Sequence, residues 1–436
     1  MSVERLLIQG GRVVDPANGV DAVLPVAIAD GHIVAVGQVP DGFAADAEID
    51  ARGLVVCPGF IDLCARLREP GQEHKGTIAS ETAAAAAAGV TTLFCPPDTH
   101  RVIDTPAVAH LVRERAEAAG LARVLPIGAL TRGLQGKELS SMGALREAGC
   151  LAVGNAYAPL ESLLILRRAL EYAANCGLLV VVRPEEPSLR NRGCVHDGAV
   201  GSRLGLPGIP TAAETVAVAQ TLVLAEQTGA RVHFGQLSSA RAVAMVAEAQ
   251  GRGVAASADV AVHQLHLTET AIEGFDANAH VYPPFRAEAD RDALRLGLAV
   301  GTLAAICSDH QPHDPNAKLD AFPSTEPGIA SLETLLPLTL RLVEAGLLDL
   351  PAAIARLTCG PAAIMGLAAG SLSVGARADV CLFDPRLEWV AQGADWLSQG
   401  VNTPFYGEKF VGRVSRTLLA GRRVYSSADV RRDVRH

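Results

Sequence analysis

The sequence predicts an α/β protein in which a (β/α)8 barrel carries a small β domain built from both ends of the chain. Three observations support this prediction: strand-like runs at each terminus, eight strand and helix units between them, and an apolar composition. Of the 436 residues, 49% are apolar and 19% are charged. Such a composition is typical of a large soluble protein with a substantial core, and it excludes disordered and fibrous classes.

The two ends of the chain share a β-hairpin rhythm. Short alternating runs separated by turn residues begin the chain, for example at residues 6–8 and 33–36. The same rhythm returns at residues 379–383 and 411–419. Neither end has enough strands for an independently stable sheet, so we expect the two ends to pair. The predicted boundaries are 1–57 and 369–436 for the β domain and 58–368 for the barrel.

Between the ends, short apolar runs alternate with long helical stretches, which is the pattern of repeated βα units. The candidate strands are residues 59–63, 90–95, 124–129, 150–153, 178–182, 231–235, 254–258 and 303–307. The helices between them include residues 78–88, which Gly89 terminates, and residues 160–175. A doubly wound sheet is the alternative, but the glycine-rich dinucleotide fingerprint after the first strand is missing. Eight units over this length favour the barrel.

Charge and targeting signals narrow the possible partners. With 38 basic and 47 acidic side chains, the formal charge is −9, which disfavours nucleic-acid binding. The chain shows no signal-peptide pattern and no apolar run of the roughly 18 residues that a membrane span needs. Nine cysteines without a CxxC pair are typical of single thiols in a reducing compartment. We therefore expect a cytoplasmic protein that does not bind membranes.

Polar residues follow most of the candidate strands, where the active site of such a barrel forms. They are Cys64, Arg66, Asp98, Asn155, Arg183, Gln236, Asp259, Asp309, His310 and His313. Around several of them the sequence resembles dihydroorotase, an amidohydrolase of pyrimidine synthesis. The matching motifs are residues 58–71, 128–139, 203–210, 283–286 and 308–313. The resemblance runs from about residue 5 to about residue 425, and it implies a (β/α)8 barrel with a small β-sandwich formed by both termini.

The resemblance also implies one or two zinc ions at the barrel mouth of an active member, which activate a water for attack on the ring amide. At the positions of the family's ligands this chain has Cys64, Arg66, Asn155, Arg183 and Gln236. The guanidinium of Arg66 would repel a metal ion. His233 survives from the family's His-x-x-His motif, and Asp309 survives as an acid that also shuttles the proton in the family. We therefore expect a vestigial Asp309, no catalytic residue and no metal or other cofactor.

The family's substrate-binding positions are only partly kept. Arg68, Arg286 and His313 match the family, whereas Asp98 and Tyr282 stand at the positions of its asparagines. The resemblance thus implies a substrate-like pocket made of Arg68, Asp98, Tyr282, Arg286 and His313. With only some of these positions kept, the pocket could still bind a carboxylate without catalysing a reaction.

Inactive dihydroorotase-like chains that resemble this one occur in bacteria as a structural subunit of aspartate transcarbamoylase. The resemblance therefore implies the catalytic subunit of aspartate transcarbamoylase as a partner, and we also expect homo-oligomers. Residues 185–201 and 314–327 are long connections, which makes them candidate docking segments. One alternative is an active dihydroorotase with an atypical or absent metal site. Zinc is expected as a cofactor only under this alternative. Another is a sensor that binds dihydroorotate or carbamoyl aspartate without turnover.

Several of these residues have simpler structural interpretations. Cys64 is a candidate zinc thiolate or a buried thiol, and the Asp309 to His313 segment is a candidate mononuclear metal site or a hydrogen-bonded loop. His263 and His266 either approach the mouth or belong to a loop or helix. Arg66 and Arg183 either bind an anion or pair with Asp309 and Glu185, and the need of a buried charge for a partner favours pairing.

Overall fold

The computed structural model describes residues 5–393 and 396–427. The chain begins with seven strands of the β domain. They are β1 (Leu6–Gln9), β2 (Arg12–Asp15), β3 (Val20–Val23), β4 (Val26–Ala29), β5 (His32–Val36), β6 (Ala47–Asp50) and β7 (Val55–Pro58). Strands β5, β4, β1 and β6 form one sheet in that spatial order, and β7, β2 and β3 are neighbours in a second sheet.

The barrel follows directly after β7. Its strands are β8 (Phe60–Asp62), β9 (Val90–Cys95), β10 (Arg123–Pro126), β11 (Gly128–Ala129), β12 (Ala152–Gly154), β13 (Leu179–Val182), β16 (Val232–Phe234), β17 (Ala256–Ala261) and β18 (Ala305–Cys307), with β14 (Val195–His196) and β15 (Gly208–Ile209) in the loop after β13. The two short segments β10 and β11 together make the third barrel strand. All paired neighbouring barrel strands are parallel, and a bridge between Ala65 and His310 connects the chain just after the first strand to the chain just after the last.

Helices surround these strands in the alternating order that the sequence predicts. They are α1 (Ile78–Ala87), α2 (Pro106–Ala119), α3 (Met142–Glu147), α4 (Leu163–Asn175), α5 (Pro187–Arg190), α6 (Ala199–Leu204), α7 (Thr211–Thr228), α8 (Ala240–Gly251), α9 (Glu288–Val300), α10 (Leu335–Glu344), α11 (Leu350–Leu357) and α12 (Cys359–Met365). Helix α1 begins at a capping box in which Thr77 and Ser80 satisfy each other's backbone amides. The small side chains of its alanine run let it lie closely on the barrel.

The chain returns to the β domain after α12. The last strands are β19 (Val380–Val390), β20 (Lys409–Leu419) and β21 (Arg422–Ser426). Strand β19 pairs antiparallel with β7, so the two ends of the chain share one six-stranded sheet in the order β21, β20, β19, β7, β2, β3. Ile8 and Ile28 of the first sheet pack with Val56 and Leu382 of the second in one buried cluster. The predicted barrel with a composite β-sandwich is confirmed.

The element boundaries differ from the predicted ones mainly at the seventh barrel strand. The sequence predicts a strand at 254–258, with Asp259 just beyond it, whereas β17 runs from Ala256 to Ala261. Asp259 is therefore inside the strand, where it is fully buried. Alanine and serine carry little β propensity, so the sequence pattern gives a weak signal for the end of this strand.

Candidate functional site

The carboxyl ends of the barrel strands bring Cys64, Arg66, Asp98 and Asp309 together. Arg66 Nε donates to Asp98 Oδ2 at 2.9 Å, and Arg66 Nη1 lies 3.4 Å from Asp309 Oδ1. The Cys64 thiol donates to the same Asp309 oxygen at 3.6 Å. Burial raises the pKa of Asp309 and that of Cys64, so the sulfur is a thiol at neutral pH. The expected pairing of Arg66 with Asp309 is present, and Asp98 is its second partner.

Tyr157 is the residue at this site that the sequence analysis missed. The guanidinium carbon of Arg183 lies 3.8 Å from its ring centre, and that of Arg66 lies 4.6 Å away. Gln311 Nε2 donates to the Tyr157 hydroxyl at 2.7 Å and to both oxygens of Asp309 at 3.2 Å. A signal existed in the sequence, because Tyr157 follows Asn155 by two positions in the loop after a barrel strand. The role of Tyr157 depends on its contacts with Arg66 and Arg183, which are distant from it in the sequence.

The predicted pairing of Arg183 with Glu185 is wrong. Glu185 lies 3.4 Å from Arg190 Nε instead. Asn155 is also bonded within its own region, because its Oδ1 accepts from Thr131 at 2.7 Å and its Nδ2 donates to the carbonyl of Ala158 at 2.9 Å. Both ends of the Asn155 amide are thus used by the loop that follows β12.

His233 and Asp259 form a buried pair inside the barrel. His233 Nε2 lies 3.1 Å from Asp259 Oδ2, and Nδ1 lies 2.9 Å from the Ser257 hydroxyl. Because a carboxylate only accepts, Nε2 carries the proton and Nδ1 accepts from Ser257. The backbone amide of Gln236 donates to the other Asp259 oxygen at 2.6 Å, and the Gln236 side chain reaches Cys307 Sγ at 3.6 Å. Neither ring nitrogen of His233 has a lone pair left for a metal ion.

These contacts do not fit the zinc site that the family resemblance implies. A zinc centre needs deprotonated thiols, neutral imidazoles with an open lone pair, or carboxylates. Here the thiol is protonated, the surviving imidazole is bonded at both nitrogens, and Arg66 lies against the surviving acid. Within residues 5–393 and 396–427, no three His, Cys, Asp or Glu side chains are placed to share a metal ion.

The five substrate-like residues belong to four different groups of contacts. His313 Nε2 lies 3.1 Å from Arg68 Nη2 and 3.0 Å from the carbonyl oxygen of Pro327, and its Nδ1 lies 3.5 Å from Glu326. Burial and the charge of Arg68 lower the pKa of His313 to about 2. Asp98 pairs with Arg66, as described above.

Tyr282 and Arg286 lie in the other two groups. The hydroxyl of Tyr282 donates to the carbonyl of Gly193 at 3.3 Å, and Arg190 lies over its ring. Arg286 is buried, and its Nη1 donates to the carbonyl of Ile209 at 2.7 Å while its Nε donates to Ser238 at 3.1 Å. The guanidinium of Arg286 is thus used to hold the loop after β13.

His310 and His266 are hydrogen-bonded as parts of the fold, and His263 packs against an aromatic ring. The backbone amide of Ser331 donates to His310 Nδ1 at 3.0 Å, so Nε2 carries the proton and donates to the buried Glu81 at 2.7 Å. His266 Nε2 donates to the carbonyl of Leu338 at 2.9 Å. His263 packs edge-on against Phe285, and burial together with the charge of Arg183 lowers its pKa to about 3.

The backbone at the mouth is strained at the positions that follow the strands. Nine non-glycine residues of the described chain have positive φ, and four of them are Arg68 (65°), Ala156 (48°), Gln236 (55°) and Asp309 (47°). Left-handed backbone costs a non-glycine residue on the order of 1 to 3 kcal/mol and is concentrated at functional sites. The backbone of the mouth thus has the strain of a functional site.

The two candidate docking segments pack together with a third loop. Cys194 and Val200 from the first segment and Phe322 from the second lie in one apolar cluster with Ile272 and Phe285. Leu319 stays exposed over 77% of its surface, and Leu189 is also exposed. The segments therefore have an ordered base that holds exposed apolar side chains.

A cleft of about 480 Å³ opens beside the end of β13, between α4 and α7. Its wall includes Leu160, Leu163, Leu166 and Arg183. A smaller cavity of about 40 Å³ lies inside the mouth, and Arg183 forms part of its wall as well.

The architecture defines the class of the protein as a (β/α)8 barrel with a composite β-sandwich. The solved structure of "L-Hydantoinase (Dihydropyrimidinase) from Arthrobacter aurescens" is similar, with a TM-score of 0.87, 21% identity and coverage of 98% of this chain and 96% of that one. A structure titled "Structure of D-hydantoinase" has a TM-score of 0.82 at 24% identity, with 97% and 95% of the two chains covered. At these identities the similarity shows the fold alone.

The sequence comparisons identify the family. Residues 53–242 match the family model described as Dihydro-orotase-like. A "Dihydroorotase-like protein" of Pseudomonas aeruginosa is 51% identical over 414 residues, which is 95% of this chain and 98% of the relative. A "Dihydroorotase" of Geobacter sp. is 44% identical over 425 residues, covering 97% of this chain and 99% of the relative. The chain belongs to the dihydroorotase-like family.

Proposed function

We propose that this protein is a catalytically inactive dihydroorotase homologue that acts as a structural subunit of the aspartate transcarbamoylase complex in pyrimidine biosynthesis. The observation that carries the proposal is Arg66, whose guanidinium stands at a metal-ligand position and lies between Asp98 and Asp309. An arginine stays charged at all physiological pH values and cannot be a ligand. Arg66 therefore removes one ligand of the metal ion that would activate a water for attack on the amide.

The bonding of the other ligand positions supports the same proposal. Both polar side-chain atoms of Asn155 and both ring nitrogens of His233 form hydrogen bonds with neighbouring protein groups. Arg183 adds a second positive charge to the barrel mouth. A folded barrel that has lost catalytic activity can still serve by binding another protein. The name "Dihydroorotase-like protein" of the Pseudomonas aeruginosa relative distinguishes that protein from dihydroorotase itself, which is consistent with the proposal.

The proposal extends to location and partners. No helix in the described part of the chain is both long and apolar enough to cross a bilayer. We propose a cytoplasmic location and a homo-oligomer that contacts the catalytic subunit of aspartate transcarbamoylase. The exposed Leu319 and Leu189 of the docking segments would make part of this contact.

A second candidate function is an active dihydroorotase. Relatives at 44 and 45% identity over nearly the whole chain carry the name "Dihydroorotase". This alternative requires a metal site, or a mechanism without metal, that uses a different set of residues from those at the family's ligand positions.

The first test measures zinc content and dihydroorotase turnover on the same preparation, in both directions of the reaction. We expect less than about a tenth of an equivalent of zinc per chain, roughly the level of adventitious binding, and no turnover. Stoichiometric zinc with turnover would establish the active enzyme instead.

The second test measures assembly with the aspartate transcarbamoylase catalytic subunit of the same organism by sedimentation velocity. We expect a complex heavier than either component, and we expect Leu319→Asp to weaken it. The matched control is Val374→Asp, because Val374 is exposed over 70% of its surface but lies outside the docking segments. Absence of a complex with the unmodified chain would refute the structural-subunit role.

A further inference from the structure

The cleft between α4 and α7 leaves part of a barrel strand uncovered. Its volume of about 480 Å³ lies in the range of roughly 300 to 1,000 Å³ that is typical of binding sites. Val180, Val181 and Val182 of β13 line the cleft, and the last two of them are only partly buried. Barrel strands normally lie beneath a complete ring of helices. This strand is therefore open to a molecule that enters between the two helices.

Apolar side chains continue from the cleft onto the surrounding surface. Leu160 and Leu163 line the cleft just before and at the start of α4, and Leu163 and Leu164 are exposed over 49% and 52% of their surfaces. The first docking segment borders the cleft as well, because residues 185–188 line it and the exposed Leu189 follows them. A contiguous apolar group beside a cleft is typical of an interaction site, whereas scattered apolar residues are normal on any surface.

The charged side chains of the cleft are mostly acidic. They are Glu161, Arg183, Glu185 and Glu186. Glu185 lies 3.4 Å from Arg190 Nε, and Arg183 faces the carboxylate of Asp309. These two charges are therefore matched by the protein, and the excess charge at the cleft is the negative charge of Glu161 and Glu186.

Glu161 and Glu186 are the acidic groups that remain available to a partner. Glu161 is exposed just before α4 begins. Glu186 accepts at 3.2 Å from the amide and at 2.8 Å from the hydroxyl of Ser188, which carries no charge. Among the residues that the structure describes, neither carboxylate forms an ion pair. Carboxylates at the edge of an apolar cleft attract a partner that brings positive charge together with apolar surface.

We propose that this cleft is a docking site for one segment of a partner protein, whose apolar side chains enter between α4 and α7 and whose lysine or arginine side chains face Glu161 and Glu186. Apolar contact with Leu163 and the uncovered part of β13 supplies affinity, and the charges fix the orientation of the segment. The inference rests on the proposed structural role, under which the segment belongs to the aspartate transcarbamoylase catalytic subunit. It adds a second contact to the one proposed at Leu319.

Sedimentation velocity with the aspartate transcarbamoylase catalytic subunit tests the apolar part of the contact. We expect Leu163→Asp to weaken the complex by about tenfold or more, because burial of an unpaired charge at the contact is costly. The variant should fold, since aspartate is favourable in the first turn of a helix such as α4. Leu296→Asp is the matched control, because Leu296 is exposed over 64% of its surface on α9 and does not line the cleft. It should leave the complex unchanged.

Charge reversal tests the acidic part of the contact. Glu161→Lys should weaken the complex by about fivefold or more, and added salt should weaken the complex of the unmodified chain, because salt screens exposed charges. Glu344→Lys is the matched control, since it makes the same change in net charge at an exposed position of α10, where the described residues provide no ion-pair partner. Equal losses in both variants would show that only net charge matters and would overturn the acidic contact.

The outcomes separate this inference from the proposed function, provided that circular dichroism shows each variant to be folded. A complex that Leu163→Asp and Glu161→Lys leave unchanged would overturn the docking site, while the structural-subunit role would stand. Absence of any complex with the unmodified chain would refute that role and this docking site with it. If Leu163→Asp abolishes self-association of the chain alone but keeps the mixed complex, the cleft binds a second copy and the proposal is wrong.

Discussion

At the scale of single residues, the barrel mouth combines strained backbone with polar side chains that bond one another. Arg68, Gln236 and Asp309 adopt left-handed backbone, which positions side chains at the strand ends. The polar side chains there bond each other, as Arg66 does with Asp98 and Asp309. Within the described residues, the Nη1 and Nη2 atoms of Arg183 have no hydrogen-bond partner, and this guanidinium lies over the ring of Tyr157.

Asp62 gives a pH-dependent prediction at this scale. It is fully buried at the end of β8, its carboxylate accepts from the backbone amide and hydroxyl of Ser308, and burial raises its pKa from 3.8 to about 7. The folded state therefore binds a proton that the unfolded state releases between about pH 4 and pH 7. The stabilisation is complete below pH 4 and is lost as the pH rises through 7.

We expect Asp62→Asn to remove this loss, which approaches about 1.4 kcal/mol per pH unit. Urea unfolding at pH 5, 6 and 7 measures it. Asp50→Asn is the control, because Arg52 lowers the pKa of the exposed Asp50 to about 2, outside the window. Identical pH slopes for Asp62→Asn and the unmodified protein would contradict the prediction.

At the scale of elements, local sequence rules place most helices and strands, but close packing sets their limits. Helix α12 begins next to the chain that leads into β18. A Cβ at Gly360 would lie 2.2 Å from the carbonyl oxygen of Ala304 and 2.9 Å from that of Ala355. Glycine is needed here because of this close approach of backbone, although the sequence around it looks like an ordinary helix.

Gly360→Ala should therefore destabilise the fold by roughly 1 to 3 kcal/mol, since backbone atoms cannot move aside as a side chain can. Gly251→Ala, near the end of α8, is the matched control. A Cβ there meets no heavy atom within 4 Å, so alanine should stabilise by about 0.5 to 1 kcal/mol. Denaturant unfolding of both variants provides the comparison, and a neutral Gly360→Ala would show that α12 can shift.

At the scale of the whole molecule, the barrel and the β domain share a core. Phe383 of β19 and Phe410 and Val414 of β20 belong to the same buried cluster as the barrel helices and strands. The opposite face of this sheet packs on the other sheet of the sandwich. One sheet thus contributes to two cores, and the two parts are coupled energetically.

We therefore expect one cooperative unfolding transition in calorimetry. Phe383→Ala should lower the temperature of that single transition, at a cost of about 3 to 5 kcal/mol, because it leaves a cavity in the shared core. Val374→Ala, at an exposed position of the C-terminal segment, should leave the transition unchanged. Two separate transitions, with only one moved by Phe383→Ala, would show that the domains fold independently.

Much of this architecture could be predicted from the sequence. The alternation of apolar runs and helical stretches gave the barrel, and the repeated hairpin rhythm gave pairing of the two ends, as β7 and β19 show. The same alternation placed five polar residues just after barrel strands: Cys64, Arg66, Asn155, Arg183 and Gln236. These features depend on local periodicity and on the order of elements, which a sequence carries directly.

Only the tertiary structure decided which polar groups at the mouth are satisfied. Arg66 meets Asp309 across 243 positions of the chain, and Gln311 meets Tyr157 across 154. Such partners are set by closure of the barrel and by side-chain directions, neither of which has a local pattern. The sequence by itself predicted which residues stand after the barrel strands, and the resemblance predicted that they replace the family's metal ligands. The structure decided that Arg66 is paired while Arg183 is left without an acceptor, because hydrogen bonds depend on distances that only the folded chain defines.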